Sequence, residues 1–353
     1  MKKIILTSFA FLTFLQVFAQ DTMNVHKNNG AIIKYALAEI DSITYKLSPK
    51  KLNPETVNAP LKIFVISDLN SSYGSVTYET EVKYVIEQIA IEKPDIVLCG
   101  GDMVAGQSTS LTTTQIRNMW ASFRSTILQP INQLNIPFGF TIGNHDASPT
   151  YPIDRQMASE FWLNKKDNPS KLTFVDSTNY PYYYSYIKNN VFFISWDAAG
   201  PTMDAAVQTF ISNQSQLPIA KNARLRILLG HLPLYPIVPK TNVAGEYLAN
   251  VTIDFIKNNG IDLYISGHQH AYFPAHSNGV DLLNLGCIGS GPRQYLNSVA
   301  PAVKAYTIVN VPVQNPKTFT YTTYNPTSKT LIDITTLPTS ITGIGGVVLR
   351  RDQ

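Results

Sequence analysis

The chain has 353 residues, 44% of them hydrophobic and 15% charged, with a formal net charge of +4. That leaves room for one large domain or two modest ones, and is too apolar for a disordered chain. Part of the small positive excess lies in Lys2 and Lys3, so charge gives no argument for nucleic acid or an anionic membrane as partner.

The first residues carry the pattern of an export signal. Lys2-Lys3 precede an apolar run from Ile4 to Ala19, and Val17 and Ala19 supply the small residues of a cleavage point before Gln20. The run is shorter than the ~20 residues a membrane span needs, and no cysteine marks a lipid attachment. Residues 1–19 are therefore expected to be a signal peptide. The mature protein is expected in the periplasm or outside the cell, as a monomer with no later membrane span. Cys99 and Cys287 both sit in apolar, Gly-containing segments. They read as buried, unpaired thiols, although an oxidising compartment would permit a bridge if the backbone brought them close.

Residues 20–49 read as a small β module, with Val25 to Lys27 and Ala31 to Tyr35 flanking the turn Asn28-Asn29-Gly30. Too small to stand alone, it would pack on the main domain or act as an adaptor. Pro49, Pro54 and Pro60 mark a linker over 50–60. From 61 to 324 strands alternate with helices. A strand at 62–67 leads to a helix at 79–91, where Val82, Val85, Ile86 and Ile89 fall at helical spacing. A strand at 95–99, a helix around 113–128 and a strand at 137–142 follow. Strands 182–187 and 191–196 form an antiparallel pair through Asn189-Asn190. Next come a helix near 203–213, a strand at 225–229, a helix near 246–258 and a strand at 261–266. Strands at 282–285, 305–311 and 318–324 complete the series. Alternation followed by a meander predicts an α/β fold of two packed mixed β-sheets flanked by helices. Residues 325–353 form a tail with no assignable role.

Four of the six histidines fall in Gly-flanked motifs, each after a β-like run: Gly143-Asn144-His145-Asp146, Gly230-His231 and Gly267-His268-Gln269-His270. Upstream, Asp68 follows Ile63 to Ile66, and Asp102 follows Ile96 to Gly101. Side chains at the carboxyl ends of parallel strands converge on one crevice, which points to a dinuclear metal hydrolase. His26 and His276 belong to no such motif. Taken singly, each residue has a plainer reading: Asp68 capping a loop, Asp102 steadying a Gly-rich turn, Asn144 in a turn, His231 in the core. Five motifs in order outweigh these.

In that order the motifs resemble the calcineurin-like metallophosphoesterase superfamily, which includes purple acid phosphatases, protein phosphatases, nucleotidases and cyclic-nucleotide phosphodiesterases. The resemblance covers roughly residues 61–290 and implies that family's four-layer sandwich. Carried over position by position, it implies that Asp102 bridges two metals ~3.5–4 Å apart. Asp68 and His270 would hold the first, and Asn144, His231 and His268 the second. Mixed imidazole and oxygen donors suit Mn, Fe or Zn. Such a pair lowers the pKa of a water, supplying hydroxide for in-line attack on a small phosphomono- or phosphodiester. The resemblance sets His145 beside the leaving group as a proton donor, with Asp146 orienting it.

One motif departs from the family. Most members have Asp-x-His first, and purple acid phosphatases replace that His with a Tyr after Gly-Asp. Here the motif is Asp68-Leu69-Asn70, and no tyrosine closely follows Asp102. Three outcomes are open: Asn70 binds through its amide oxygen, Tyr73 takes the position, or the first site is weak. The favoured expectation is Asn70 in a site of lower affinity. Trp196, Tyr235 and Tyr272 are expected near the rim, for stacking or for ordinary packing, and Arg293 could reach phosphate. The leaving group would be read by loops 103–118, 147–180 and 232–246. The competing expectations are a single-metal or non-catalytic binding protein weakened by Asn70, and an adhesion protein using residues 20–49.

Overall fold

The computed structural model describes residues 22–26, 31–40, 59–299 and 302–353. The expected signal peptide, the turn at 27–30 and nearly all of the expected linker lie outside the described residues. The chain divides into two compact units, residues 1–52 and 53–353. In the first, β1 (Thr22–His26) and β2 (Ile32–Ala36) pair antiparallel, as the hairpin pattern predicts.

The second unit is an α/β assembly of two mixed sheets. Its strands are β3 (Leu61–Ile66), β4 (Ile96–Cys99), β5 (Phe138–Phe140), β6 (Thr173–Asn179), β7 (Tyr183–Lys188), β8 (Val191–Ser195), β9 (Leu225–Leu229), β10 (Leu263–Ser266), β11 (Phe273–Ser277), β12 (Val280–Asn284), β13 (Tyr306–Val311), β14 (Thr320–Asn325), β15 (Thr330–Leu331), β16 (Ser340–Gly343) and β17 (Gly346–Arg350). The helices are α1 (Thr80–Glu92), α2 (Thr113–Phe123), α3 (Gln129–Gln133), α4 (Asn144–Ala147), α5 (Pro152–Leu163), α6 (Ala205–Gln216), α7 (Pro218–Lys221) and α8 (Ile253–Asn258). One sheet has six strands in the order β15-β14-β13-β3-β4-β5. The other has nine, β16-β17-β11-β12-β10-β9-β8-β7-β6.

Strand alternation explains how the nine-stranded sheet is buried on both faces. Phe193, Ile227, Leu229, Leu263 and Ile265 belong to the core shared with the six-stranded sheet and with α1 and α2. Their neighbours Phe192, Ile194, Leu228 and Tyr264 belong to a second core with Val207 and Ile211 of α6 and Ile256 of α8. Within the six-stranded sheet β3, β4 and β5 run parallel. So do β8, β9, β10 and β12 within the other. Two sets of strand carboxyl ends are thereby available for one site.

Several elements differ from the sequence reading. The helix expected over 113–128 is α2, which passes through a π turn at Arg124–Leu128 into α3 with Pro130 in its first turn. The helix expected over 246–258 is only α8, because the Thr252 hydroxyl accepts from Phe255 N–H and starts the helix there. The stretch 147–180 is not one loop. It contains α5, begun by Pro152 in its first turn, and β6. Trp162 of α5 stacks on Phe140 of β5 at 3.9 Å between centroids, so this segment is largely core. Cys99 and Cys287 are both buried free thiols.

The tail at 325–353 is built into both sheets, so the folded unit runs past 324. β15 pairs with β14, β17 pairs with β11, and β16 closes the edge. Ile341 and Val348 are buried while Val347 between strand neighbours is half exposed. Ile341→Ala is therefore expected to lower stability by about 2–5 kcal/mol, and Val347→Ala to change it by less than about 0.5 kcal/mol. Chemical denaturation of the two variants checks this.

Candidate metal site

Five loops leaving strand carboxyl ends meet here. Asp68 follows β3, Asp102 follows β4, Asn144 opens α4 after β5, His231 follows β9, and His268 and His270 follow β10. Asp68 (φ 53°), Asp102 (φ 53°), His268 (φ 67°) and His270 (φ 53°) all adopt the left-handed region, which residues with a Cβ avoid unless the surroundings hold them there. Asp68 N–H donates to Gly101 O, and Leu69 and Asn70 N–H donate to Asp102 O. The strand ends are thus laced together. Glycine is needed where they cross: a Cβ on Gly143 would lie 2.2 Å from Asp102 Oδ1, and one on Gly101 (φ 97°) 2.6 Å from His231 Nδ1.

The side chains converge. His270 Nε2 lies 3.3 Å from Asp68 Oδ1, and His231 Nε2 lies 3.4 Å from Asp102 Oδ1. One donor atom each from Asp68, Asp102 and His270 falls within 4.8 Å of the others. Asn144 Oδ1 is 3.0 Å from His231 Nε2 and 2.9 Å from His268 Nδ1. Both aspartates are almost fully buried. Burial pushes their carboxyls up, but His270 beside Asp68, and His231 and His145 beside Asp102, hold both below the ordinary range. Burial alone would push His231 down; the Asp102 carboxylate overrides it and carries the imidazole up to about 9.

Each converging histidine has its other nitrogen engaged by an acceptor. His231 Nδ1 meets Gly100 O at 2.7 Å, His268 Nε2 meets Glu246 Oε2 at 2.8 Å, and His270 Nδ1 meets Gly291 O at 3.1 Å. In the neutral imidazole a proton held there leaves the inward nitrogen as a bare lone pair. Six inward donors, two carboxylate, one amide and three imidazole, suit transition-metal cations. Glu246 was missed from sequence because a lone glutamate in a loop carries no motif. The carboxylate–histidine–metal pattern identifies it only once the loop is folded.

Other expectations fare differently. Asn70 is buried, its backbone N–H on Asp102 O and its carbonyl accepting from Ser290 N–H. Tyr73 is 63% exposed, with its ring 5.3 Å from the His145 ring, unlike the buried ligand set. Asp146 does not orient His145. It is buried and accepts from Met103, Val104 and Gly143 N–H, while His145 Nδ1 lies 3.3 Å from Gly106 O. With three backbone N–H groups on its carboxyl, Asp146 works as the clamp of α4. Burial and the charge of Asp102 push it up to about 8.

Trp196 is fully buried, so it cannot stack a ligand. Tyr272 is buried at the edge of a separate cleft of about 780 Å³ that includes none of the metal-site side chains. Tyr235 packs against the Gly345-Gly346 turn. Arg293 donates from its guanidinium to His268 O and from its backbone to His270 O, bracing the histidine loop. Gln269 does likewise from within, accepting from Ile237 N–H and donating to Asn284 Oδ1.

Two sheets ending in a buried set of aspartates and histidines define an α/β protein with a candidate metal site. The calcineurin-like phosphoesterase family model matches residues 61–272, more than half of the chain. The chain belongs to the calcineurin-like phosphoesterase family. No curated protein sequence matches it. Among solved structures it is similar to the purple acid phosphatase PPD1 from yellow lupin (Lupinus luteus). The identity is 14% and the TM-score 0.58, with 88% of this chain and 58% of that one covered. It therefore spans little more than half of the lupin chain. It is also similar to GAP50, the anchor in the inner membrane complex of Plasmodium, at 14% identity and TM-score 0.54, covering 78% of this chain and 87% of that one. At these identities the likeness concerns the fold.

The raised His231 pKa sets a pH test on metal-free protein. A group whose folded pKa exceeds its unfolded value of 6.5 stabilises fully below that value and loses its contribution as pH rises through about 9. Chelated protein is therefore expected to lose stability between about pH 6 and about pH 9.5. Protein loaded with metal should lose less, because Nε2 no longer holds a proton and Asp146, raised to about 8, still loses its contribution over this range. Denaturation midpoints at both pH values, with and without chelator, check this.

Proposed function

We propose that the protein is an exported phosphoesterase that works with two transition-metal cations. The observation that carries this reading is the set of three histidines whose outer nitrogens are all held by acceptors while their inner nitrogens face buried Asp and Asn oxygens. Asp68 and His270, with Asn70 nearby, would hold one cation. Asn144, His231 and His268 would hold the other, with Asp102 shared. When bound, the cations would supply an activated water and neutralise charge on the phosphoryl oxygens. Mn, Fe and Zn all suit the donor set.

The chain's own groups do the rest. The Nδ1–H of His145 faces Gly106 O, so Nε2 would give a proton to the departing oxygen from the protonated ring, which would regain it from solvent. The exposed Tyr73 ring beside it offers a face for an aryl or nucleoside leaving group. Export is supported by the residue pattern over 1–19, and among the described residues no helix is long and apolar enough to cross a membrane. Residues 20–49 would then be an adaptor module. A second reading, a binding protein on the same scaffold, draws on Asn70 and on the likeness to GAP50, described as an anchor.

Purified chain reconstituted with Mn, Fe or Zn is expected to hydrolyse phosphoesters, and to stop on chelation or with Asp102→Asn. Two bound metals without hydrolysis of any mono- or diester would favour the binding protein. His145→Gln is expected to lower kcat about 10²- to 10⁴-fold for alkyl leaving groups, and less for nitrophenyl, which departs without a proton. Tyr73→Ala is expected to raise KM for aryl or nucleoside esters about two- to tenfold at nearly constant kcat. Asn70→His should tighten the weaker of the two metal sites in calorimetric titration; unchanged affinity would count against Asn70 as its ligand.

A further inference from the structure

Asn144 differs chemically from the other donors expected at the second metal. Its side chain has two ends of nearly the same size, one an oxygen acceptor and one an NH₂ donor, and only the oxygen can bind a cation. The helix that carries it, α4, spans only Asn144–Ala147. The backbone fixes where the amide sits, but not which of its two similar ends faces inward. Something outside α4 must therefore decide which end of the amide faces His231 and His268.

The loop after Asp102 does this. Asn144 Nδ2 donates to Gln107 Oε1 at 2.8 Å, which turns Oδ1 towards His231 Nε2 and His268 Nδ1. Gln107 is itself held by its backbone. It adopts φ 67°, and its N–H donates at 2.7 Å to Oδ2 of Asp154, a buried residue of α5. The preceding Gly106 donates from N–H to His145 O and faces the His145 ring through its carbonyl. A Cβ on Gly106 would come within 2.6 Å of His145 O, so the loop lies directly on α4. One segment, anchored on α5, thus holds both the amide and the adjacent histidine.

We infer that Gln107 is a positioning residue that presents the Asn144 oxygen to the second cation; the inference rests on the reading of Asn144 as a metal ligand. An acceptor on the NH₂ end does two things. It disfavours the flipped amide, and it draws negative charge onto the oxygen that binds the cation. Outer partners of metal ligands commonly govern affinity about 10- to 100-fold.

The test is calorimetric titration of chelator-stripped full-length protein with Mn²⁺ and Zn²⁺. Gln107→Leu, close in size but without an acceptor, is expected to weaken one of the two sites about tenfold or more and leave the other unchanged. Gln107→Glu keeps an acceptor and is expected to bind like wild type. In an Asn144→Ala background, Gln107→Leu should have no further effect, because the coupling runs through that amide. Thermal midpoints of the stripped variants report folding. Should the leucine variant be unfolded, Gln107→Lys, which presents a donor, must show the same loss. Wild-type affinity in Gln107→Leu, equal losses in the Leu and Glu variants, or additive losses with Asn144→Ala would each overturn the inference. If Asn144→Ala alone leaves metal binding intact, the ligand reading beneath it fails instead.

Discussion

Two carboxylates buried side by side are the constraint that shapes this molecule. Asp68 and Asp102 have almost no solvent contact, and a buried ionised carboxylate costs several kcal/mol unless it is paired and hydrogen-bonded. The surroundings answer that demand at every level. The Ser67 hydroxyl and His268 N–H donate to Asp68, and His145 N–H donates to Asp102. His270 and His231 bring imidazoles to them. The left-handed backbone at Asp68, Asp102, His268 and His270 is held by the lacing between strand ends, at a cost of order 1–3 kcal/mol for each such residue. A cluster so concentrated in acceptors and inward lone pairs suits a cation better than it suits water.

The fold makes the cluster possible because parallel strands end together. β3, β4 and β5 deliver Asp68, Asp102 and Asn144 from one sheet, while β9 and β10 deliver the histidines from the other. The core between the sheets fixes the separation of the two sets. Outside it, loops supply the acceptors that aim the imidazoles: Gly100 and Gly291 through backbone carbonyls, and Glu246 through its carboxylate. Gln107 extends the same logic to an amide.

Much of this was legible in the sequence because the ligands sit in short motifs directly after apolar runs. The motif Gly267-His268-Gln269-His270 announces its own geometry, since histidines at i and i+2 leave an extended chain on one side. Glu246 and Gln107 could not be read, because each acts through one contact made across loops far apart in sequence. Asp146 misled because adjacency to His145 suggested contact, whereas in a single helical turn neighbouring residues face different ways. The helix α5 was hidden within a long segment of mixed polarity, although Pro152 and the spacing of Met157, Ala158, Phe161 and Trp162 carry its signal. The tail lacked strong alternation, and its strands form because the exposed edge of β11 offers hydrogen bonds to β17.

Anomalous diffraction from crystals grown with Mn or Zn tests the central claim most directly. The account predicts two peaks about 3.5–4 Å apart on either side of Asp102, one beside Asp68 and His270 and the other beside Asn144, His231 and His268. A single peak at the Asn144 side, or none within reach of Asp102, would contradict it.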